Sequence, residues 1–298
     1  MTSVGVVLTP PNRYSFTIYD DVMDIGALIF PTDKTIRPNR LGIALEESGY
    51  DSLWVAEHTH IPLTRKTPYP AGGELPDFYK RTMDPFVALS VAATMTSTLK
   101  LGTGICLVNQ HHAINLAKQC ASVDLVSDGR FLFGVGVGWN EDEMEHHGVD
   151  PSKRRSTARE RILAVKELWS QEAAEFHGDY VDFSPSLSYP KPVSNPPVIM
   201  GGSGGPVTFK HVVEYCDGWM PIHGRADPLE KIDLLHQMAE DAGRDPASIE
   251  LTIYGCPMDA DIIERYRAAG AHRVVFWLPA TDESEVLEAV ERGAAFID

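Results

Sequence analysis

The sequence predicts an α/β fold, an eight-stranded (β/α)8 barrel, and three observations carry that expectation. Short apolar runs of strand length alternate with longer stretches of helical spacing. Several runs are apolar throughout rather than alternating, the mark of parallel strands covered on both faces. Eight such pairs fit into about 270 residues, which suits a closed barrel better than an open doubly wound sheet.

The expected strands are 24–30, 52–56, 99–105, 131–135, 197–200, 218–221, 249–254 and 272–276. Asp84 followed by Pro85 opens the helix after the second strand, as an N-cap with proline at the first helical position. Gly49 and Gly129 stand where helices should stop. Between 155 and 171, Ala158, Ile162, Val165, Leu168 and Trp169 share one face. Asp282, with Glu285 three residues on, caps the last helix. Two stretches break the rhythm. Residues 61–81, rich in proline and glycine, form a long loop after the second strand. Residues 177–195 form an insertion after the fourth barrel helix, read as a short hairpin. Residues 1–22 are taken as an N-terminal extension and 23–298 as one barrel domain. The alternative makes 4–8 the first strand and puts 25–30 in a loop.

Composition limits the function. The chain of 298 residues carries 26 Lys+Arg against 42 Asp+Glu, a net charge of −16. So acidic a protein is a poor partner for nucleic acid or an anionic membrane and suits a small-molecule substrate. Cys106, Cys120, Cys216 and Cys256 show neither C-x-x-C pairing nor zinc spacing, as expected of thiols in a reducing cytoplasm. No apolar run reaches membrane-spanning length, and the N-terminus lacks a signal-peptide pattern.

Unusual residues collect at the predicted C-terminal ends of the strands, where barrels of this type place their sites. Gly201, Gly202, Ser203, Gly204 and Gly205 lie between a strand and a helix, so their backbone N–H groups can approach a phosphate. Gly134, Gly136 and Gly138 mimic a dinucleotide fingerprint, but Glu141, Asp142, Glu143 and Glu145 follow and would repel a pyrophosphate. Small residues there suit a flat ring lying beside Trp139, although Gly134 is also explained by barrel packing. His58 reads as a hydrogen-bond donor or proton shuttle. His58 with His60 could hold a catalytic metal only with further ligands from other strands, where the fifth offers only glycines and Ser203 and the sixth only His223 nearby. His111 and His112 diverge and chelate poorly, leaving one to touch a ligand. No nucleophile elbow and no strand-end lysine is present, so the chemistry falls to a bound cofactor.

These segments resemble the luciferase-like monooxygenase superfamily, and within it the group dependent on the deazaflavin coenzyme F420. The resemblance rests on GYDSLWVAEHTHIP (49–62), DPFVAL (84–89), LGTGICL (101–107), VDLVSDGRFLFGVGVGWNEDEM (123–144), YPKP (189–192), IMGGSGGP (199–206) and DGWMP (217–221), in that order. It implies a barrel, often dimeric, with the cofactor across the strand ends and its phosphate on 201–205. It also implies a non-prolyl cis bond at Gly104–Ile105 beneath the ring, His58 against ring or substrate, and Trp139 and Asn140 bordering the cofactor. Two departures are Ala113, where relatives carry proline, and a glycine loop one residue longer than usual.

The resulting expectation is hydride transfer between coenzyme F420 and a small organic substrate, with His58 moving the balancing proton. The alternatives are a monooxygenase using O2 and reduced FMN from a separate reductase, a metal-dependent hydrolase built on His58 and His60, and a flavin-binding protein without catalysis.

Overall fold

The computed structural model describes residues 23–297. Its elements run β1 (Asp24–Ile29), α1 (Pro38–Glu47), β2 (Ser52–Val55), α2 (Pro85–Ala93), β3 (Lys100–Thr103), β4 (Cys106–Leu107), α3 (Ala113–Val126) and β5 (Phe131–Gly136). They continue with α4 (Glu141–His146), α5 (Arg154–Ser170), β6 (Ala174–His177), β7 (Asp182–Ser186), β8 (Val198–Gly201) and α6 (Pro206–Tyr215). The chain ends with β9 (Gly218–Met220), α7 (Leu229–Asp241), β10 (Glu250–Cys256), α8 (Ala260–Ala268), β11 (Arg273–Trp277) and α9 (Glu283–Ala294).

All pairings between these strands are parallel except the β6–β7 hairpin. β3 and β4 are two halves of one barrel strand, interrupted at Gly104–Ile105, and both pair with β5. The nine-stranded ladder is therefore a closed ring of eight. Every expected strand takes part. β1 pairs with β2 on one side and β11 on the other, so the reading that left 25–30 in a loop is overturned. The stretch 4–8 lies outside the described residues.

The local signals act as their chemistry requires. Asp84 accepts from the Val87 amide at 2.9 Å and starts α2; Asp282 accepts from the amides of Ser284 and Glu285 and starts α9. The α5 face predicted from spacing is buried at all five positions. The insertion is a hairpin that begins at Ala174, slightly earlier than expected. Its turn is held by Glu160 of α5, whose carboxylate accepts from the amides of Asp179, Tyr180 and Val181.

Apolar side chains form two layers. The larger fills the space between the ring and its helices. The smaller, of Leu28, Trp54, Leu132, Ile199, Met220, Tyr254 and Val275, fills the ring itself. Trp54 is fully buried there and donates from Nε1 to Ser52 Oγ at 2.9 Å. Any β-carbon at Gly102 would overlap its indole, which is why that wall position is glycine. Arg273, only 3% exposed, closes the N-terminal face on Asp51 (2.8 Å) and Asp24 (3.2 Å). Among the described residues, no helix is long and apolar enough to cross a membrane.

Candidate active site

His58 leaves the end of β2 and is buried. Its Nδ1 lies 2.8 Å from Glu143 Oε2. Glu143 is fully buried on α4, and it also accepts from the Thr59 amide (3.1 Å) and Asn140 Nδ2 (3.3 Å). Burial alone would push the Glu143 carboxyl up. The hydrogen bond and charge of His58, with donors from the Gln110 side chain and the His60 backbone, hold it below the ordinary carboxylate value. A carboxylate only accepts, so Nδ1 of His58 carries the proton and Nε2 is the working atom. Nε2 has no hydrogen-bond partner among the described residues.

Short α4 organises more than His58. Asp142, next to Glu143, accepts from the amides of Lys66 and Thr67 and from Thr67 Oγ1, and these bonds lower its carboxyl to about 2. One turn of helix thus fixes both the imidazole and the long loop after β2. That loop folds back as an aromatic wall. Tyr79 lies 5.0 Å from the His58 ring and 4.9 Å from Phe30, Trp139 lies 5.7 Å from His58, and Tyr69 touches both Tyr79 and Trp139. Burial raises the Tyr79 hydroxyl well above the ordinary tyrosine value, which keeps it neutral.

The Gly104–Ile105 bond is cis, as the resemblance implied. Tyr254 Oη donates to the Gly104 carbonyl, and the Gly104 amide donates to Val55 O at 2.7 Å. The Ile105 side chain lies across the neighbouring strands. A β-carbon on Gly136 would overlap Ile105 Cδ1, and one on Gly201 would come within 2.8 Å of Ile105 Cγ2. This corrects the reading of Gly136, in β5, as space for a ring, and agrees with barrel packing as the reason for Gly134. At Gly136 the space holds Ile105, and at Gly134 it holds the Thr103 carbonyl. Gly138, by contrast, marks the turn out of β5, with φ +81°.

The stretch Gly201–Gly205 runs from β8 to the start of α6. Gly202 and Gly205 have φ of +132° and +152°, and no atom lies within 4 Å of where their β-carbons would stand. Gly204 instead packs on the buried Trp219, whose Nε1 donates to Gly202 O at 3.0 Å. Ser203 is exposed. A cleft beside the loop is lined by Ser203, Gly204, Pro221, Arg225 and Lys231. His58 follows β2 and this loop follows β8, and in a closed parallel ring the C-terminal ends of both strands open on the same face, so the cleft and the His58 wall lie at one mouth.

The remaining imidazoles turn elsewhere. His60 Nε2 meets His146 Nδ1 at 2.8 Å, away from the His58–Glu143 pair, so His58 and His60 do not converge as a chelate. His111 Nε2 donates to Glu57 Oε1 at 2.7 Å, and Glu57 Oε2 accepts from the Leu107 amide at 2.6 Å, tying β4 to the end of β2. His111 is thus committed to Glu57. Glu57, Cys106 and His111 each offer an atom within 4.8 Å of the others, but here both Glu57 oxygens are engaged, one by His111 and one by the Leu107 amide, and burial with the charge of Glu57 pushes the Cys106 thiol well up. Asn140 is buried, and its Oδ1 has no partner among the described residues. Sequence reasoning missed Glu143, Glu57 and Tyr79 as site residues.

The fold is a closed parallel (β/α)8 barrel that carries a histidine–carboxylate pair and a glycine loop at the C-terminal ends of its strands. Residues 39–295 match the luciferase-like monooxygenase family model, and the chain belongs to that family. It is 38% identical over 279 residues to the uncharacterized protein Rv0953c of Mycobacterium tuberculosis, covering 92% of this chain and 98% of that one. It is 27% identical to an F420-dependent glucose-6-phosphate dehydrogenase of Amycolatopsis mediterranei, covering 83% and 71% of the two chains. Among solved structures, the coenzyme F420-dependent tetrahydromethanopterin reductase of Methanopyrus kandleri superposes with TM-score 0.69 at 17% identity, covering 93% of this chain and 98% of that one. The monooxygenase RslO1 of Streptomyces bottropensis superposes with TM-score 0.74 at 18% identity, covering 92% and 98%.

Proposed function

We propose that this protein is an oxidoreductase that moves a hydride between coenzyme F420 and a small organic substrate. The observation that carries the reading is the buried His58–Glu143 pair, set in the same mouth as the open glycine loop. The residues fit such a group. Gly202 and Gly205 leave free space where side chains would stand, and Asn140 Oδ1 is buried without a partner. Gly201, Gly202, Ser203, Gly204 and Gly205 would hold the phosphate, with Lys231 beside them. Gly104, Ile105, Gly138, Trp139 and Asn140 would border the ring.

The cofactor supplies the hydride chemistry when bound. Removing a hydride from a carbon that bears a hydroxyl leaves one proton to dispose of, and His58 Nε2 takes it; in the reverse direction His58 returns it. Glu143 holds the ring in the tautomer that frees Nε2 and stabilises the imidazolium once the proton has moved. The wall of Tyr79, Tyr69 and Trp139 keeps water from the reacting atoms. The test is fluorescence titration with F420, where saturable micromolar binding is expected and its absence defeats the reading. His58→Ala should bind F420 with unchanged affinity and turn over about 10²–10⁴-fold more slowly.

A second reading keeps the site but uses reduced FMN and O2, with a reductase as supplier; similarity to a monooxygenase favours it. Tighter binding of FMN than of F420 would select it. The protein further acts as a homodimer, with the α2 face meeting a second copy.

A further inference from the structure

Beside the glycine loop, a groove of about 390 Å3 runs between the first turns of α5 and the length of α6. Pro206 and Val207, which follow Gly205 directly, form one wall. Arg155 and Arg159 come from α5, and Lys210 and His211 from α6. Three cations here face one carboxylate, Glu214, which is held by Arg159 with both oxygens 2.9 Å from Nε. Arg155 and Lys210 are exposed and have no ion-pair partner among the described residues. His211 donates or accepts only at Tyr215 Oη (3.1 Å); burial and the neighbouring Arg155, Arg159 and Lys210 keep its imidazole pKa below the ordinary value. On a protein of net charge −16, such a local excess of positive charge is a recognition feature for an anion.

We propose that this groove binds the carboxylate-bearing tail that coenzyme F420 carries beyond its phosphate; the proposal rests on the F420 reading above. The geometry follows from chain order. A phosphate on the glycine loop sits at the groove's entrance, because the groove wall starts at the residue after that loop. A flexible chain of carboxylates leaving the phosphate then meets Arg155 and Lys210 within the first turns of two helices. FMN ends at its phosphate and leaves the groove unused. The groove is therefore a device for choosing between the two cofactors.

The test is equilibrium fluorescence titration of the whole protein with two probes: F420 with several glutamates, and the same deazaflavin lacking them. Wild type should bind the tailed probe about tenfold more tightly, the scale of two or three exposed ion contacts. The difference should vanish at about 0.5 M salt, where the screening length is a few ångströms. Arg155→Glu with Lys210→Glu should bring the tailed probe down to the tail-less one and leave the tail-less one unchanged. Arg155→Gln with Lys210→Gln should fall between. Arg292→Glu, on the exposed last turn of α9, serves as a control for net charge and should change neither. Equal wild-type affinity for both probes overturns the tail site and leaves the F420 reading standing, as does a variant that weakens both probes alike. Failure of wild type to bind either probe removes the F420 reading, and the tail site with it.

Discussion

Glu143 is the residue on which His58 depends. With Nδ1–H given to a buried carboxylate, the imidazole has one free nitrogen and one orientation. Glu143→Gln keeps the shape but offers an amide that can turn either face to the ring. We expect turnover to fall by about 10²–10⁴-fold with cofactor affinity little changed, following the precedent of orienting carboxylates. Glu143→Asp, which keeps the charge, should recover part of the rate, and equal rates for Gln and wild type would remove the orienting role. This residue was not legible in the sequence for a physical reason. It stands among Glu141, Asp142 and Glu145 in a six-residue helix, too short for periodicity to show which carboxylate turns inward. His58 stood out because it follows the end of the second predicted strand at once, where a barrel places its site. The Glu57–His111 pair has a pH signature. Burial opposes the charge on His111, yet the hydrogen bond and charge of Glu57, aided by Asp84 and opposed by Arg161, raise its imidazole above the ordinary value. A raised folded value means that the stabilisation is complete below about pH 6.5, the unfolded value, and is lost as pH rises through the higher folded value. The gap in melting temperature between wild type and Glu57→Gln should therefore narrow from pH 6 to pH 9; a gap that widens over that range would refute the linkage.

At the scale of elements, the eight strands were readable because a parallel strand buried on both faces must be apolar throughout. The break of the third barrel strand into β3 and β4 was not readable from pattern and entered only through the family resemblance. What the glycines of β5 do needed the neighbours as well as the strand. Gly134 and Gly136 look alike in sequence, but one faces backbone and the other the tip of a side chain. Gly134→Ala would drive a β-carbon into the Thr103 carbonyl, which β3 cannot move without losing its pairing. Gly136→Ala meets only Ile105 Cδ1. The first should cost more than the 1–3 kcal/mol usual for overpacking, and the second should fall within it. Ile105→Val, which removes the offending methyl, should rescue Gly136→Ala and leave Gly134→Ala as unstable as before. Thermal melts of the four variants decide it, and equal rescue of both would show that the glycines serve a shared purpose.

At the scale of the whole molecule, α2 is the element that the barrel alone does not account for. Its sequence, PFVALSVAA, has no charged residue on any face. A barrel helix needs one apolar stripe for the core and a polar one for water. Phe86, Leu89 and Ala92 fill the first role, while Val87 and Val91 stand one turn apart, 56% and 37% exposed. Met95, just past the helix, continues the row at 48%, and Ile114 of α3 lies at 36%. A groove between α2 and α3 runs beside this row, lined by Val87, Val91, Thr94 and Ser122. Apolar rows of this kind mark an association surface. In the homodimer proposed above, a second copy would cover this row, because two such faces related by a twofold axis would bury each other. Val87→Glu with Val91→Lys should therefore convert a dimer to a monomer in light scattering, with the melting temperature of the monomer little altered because neither side chain belongs to the core. A wild-type protein that is already monomeric at micromolar concentration would show that the row has another use.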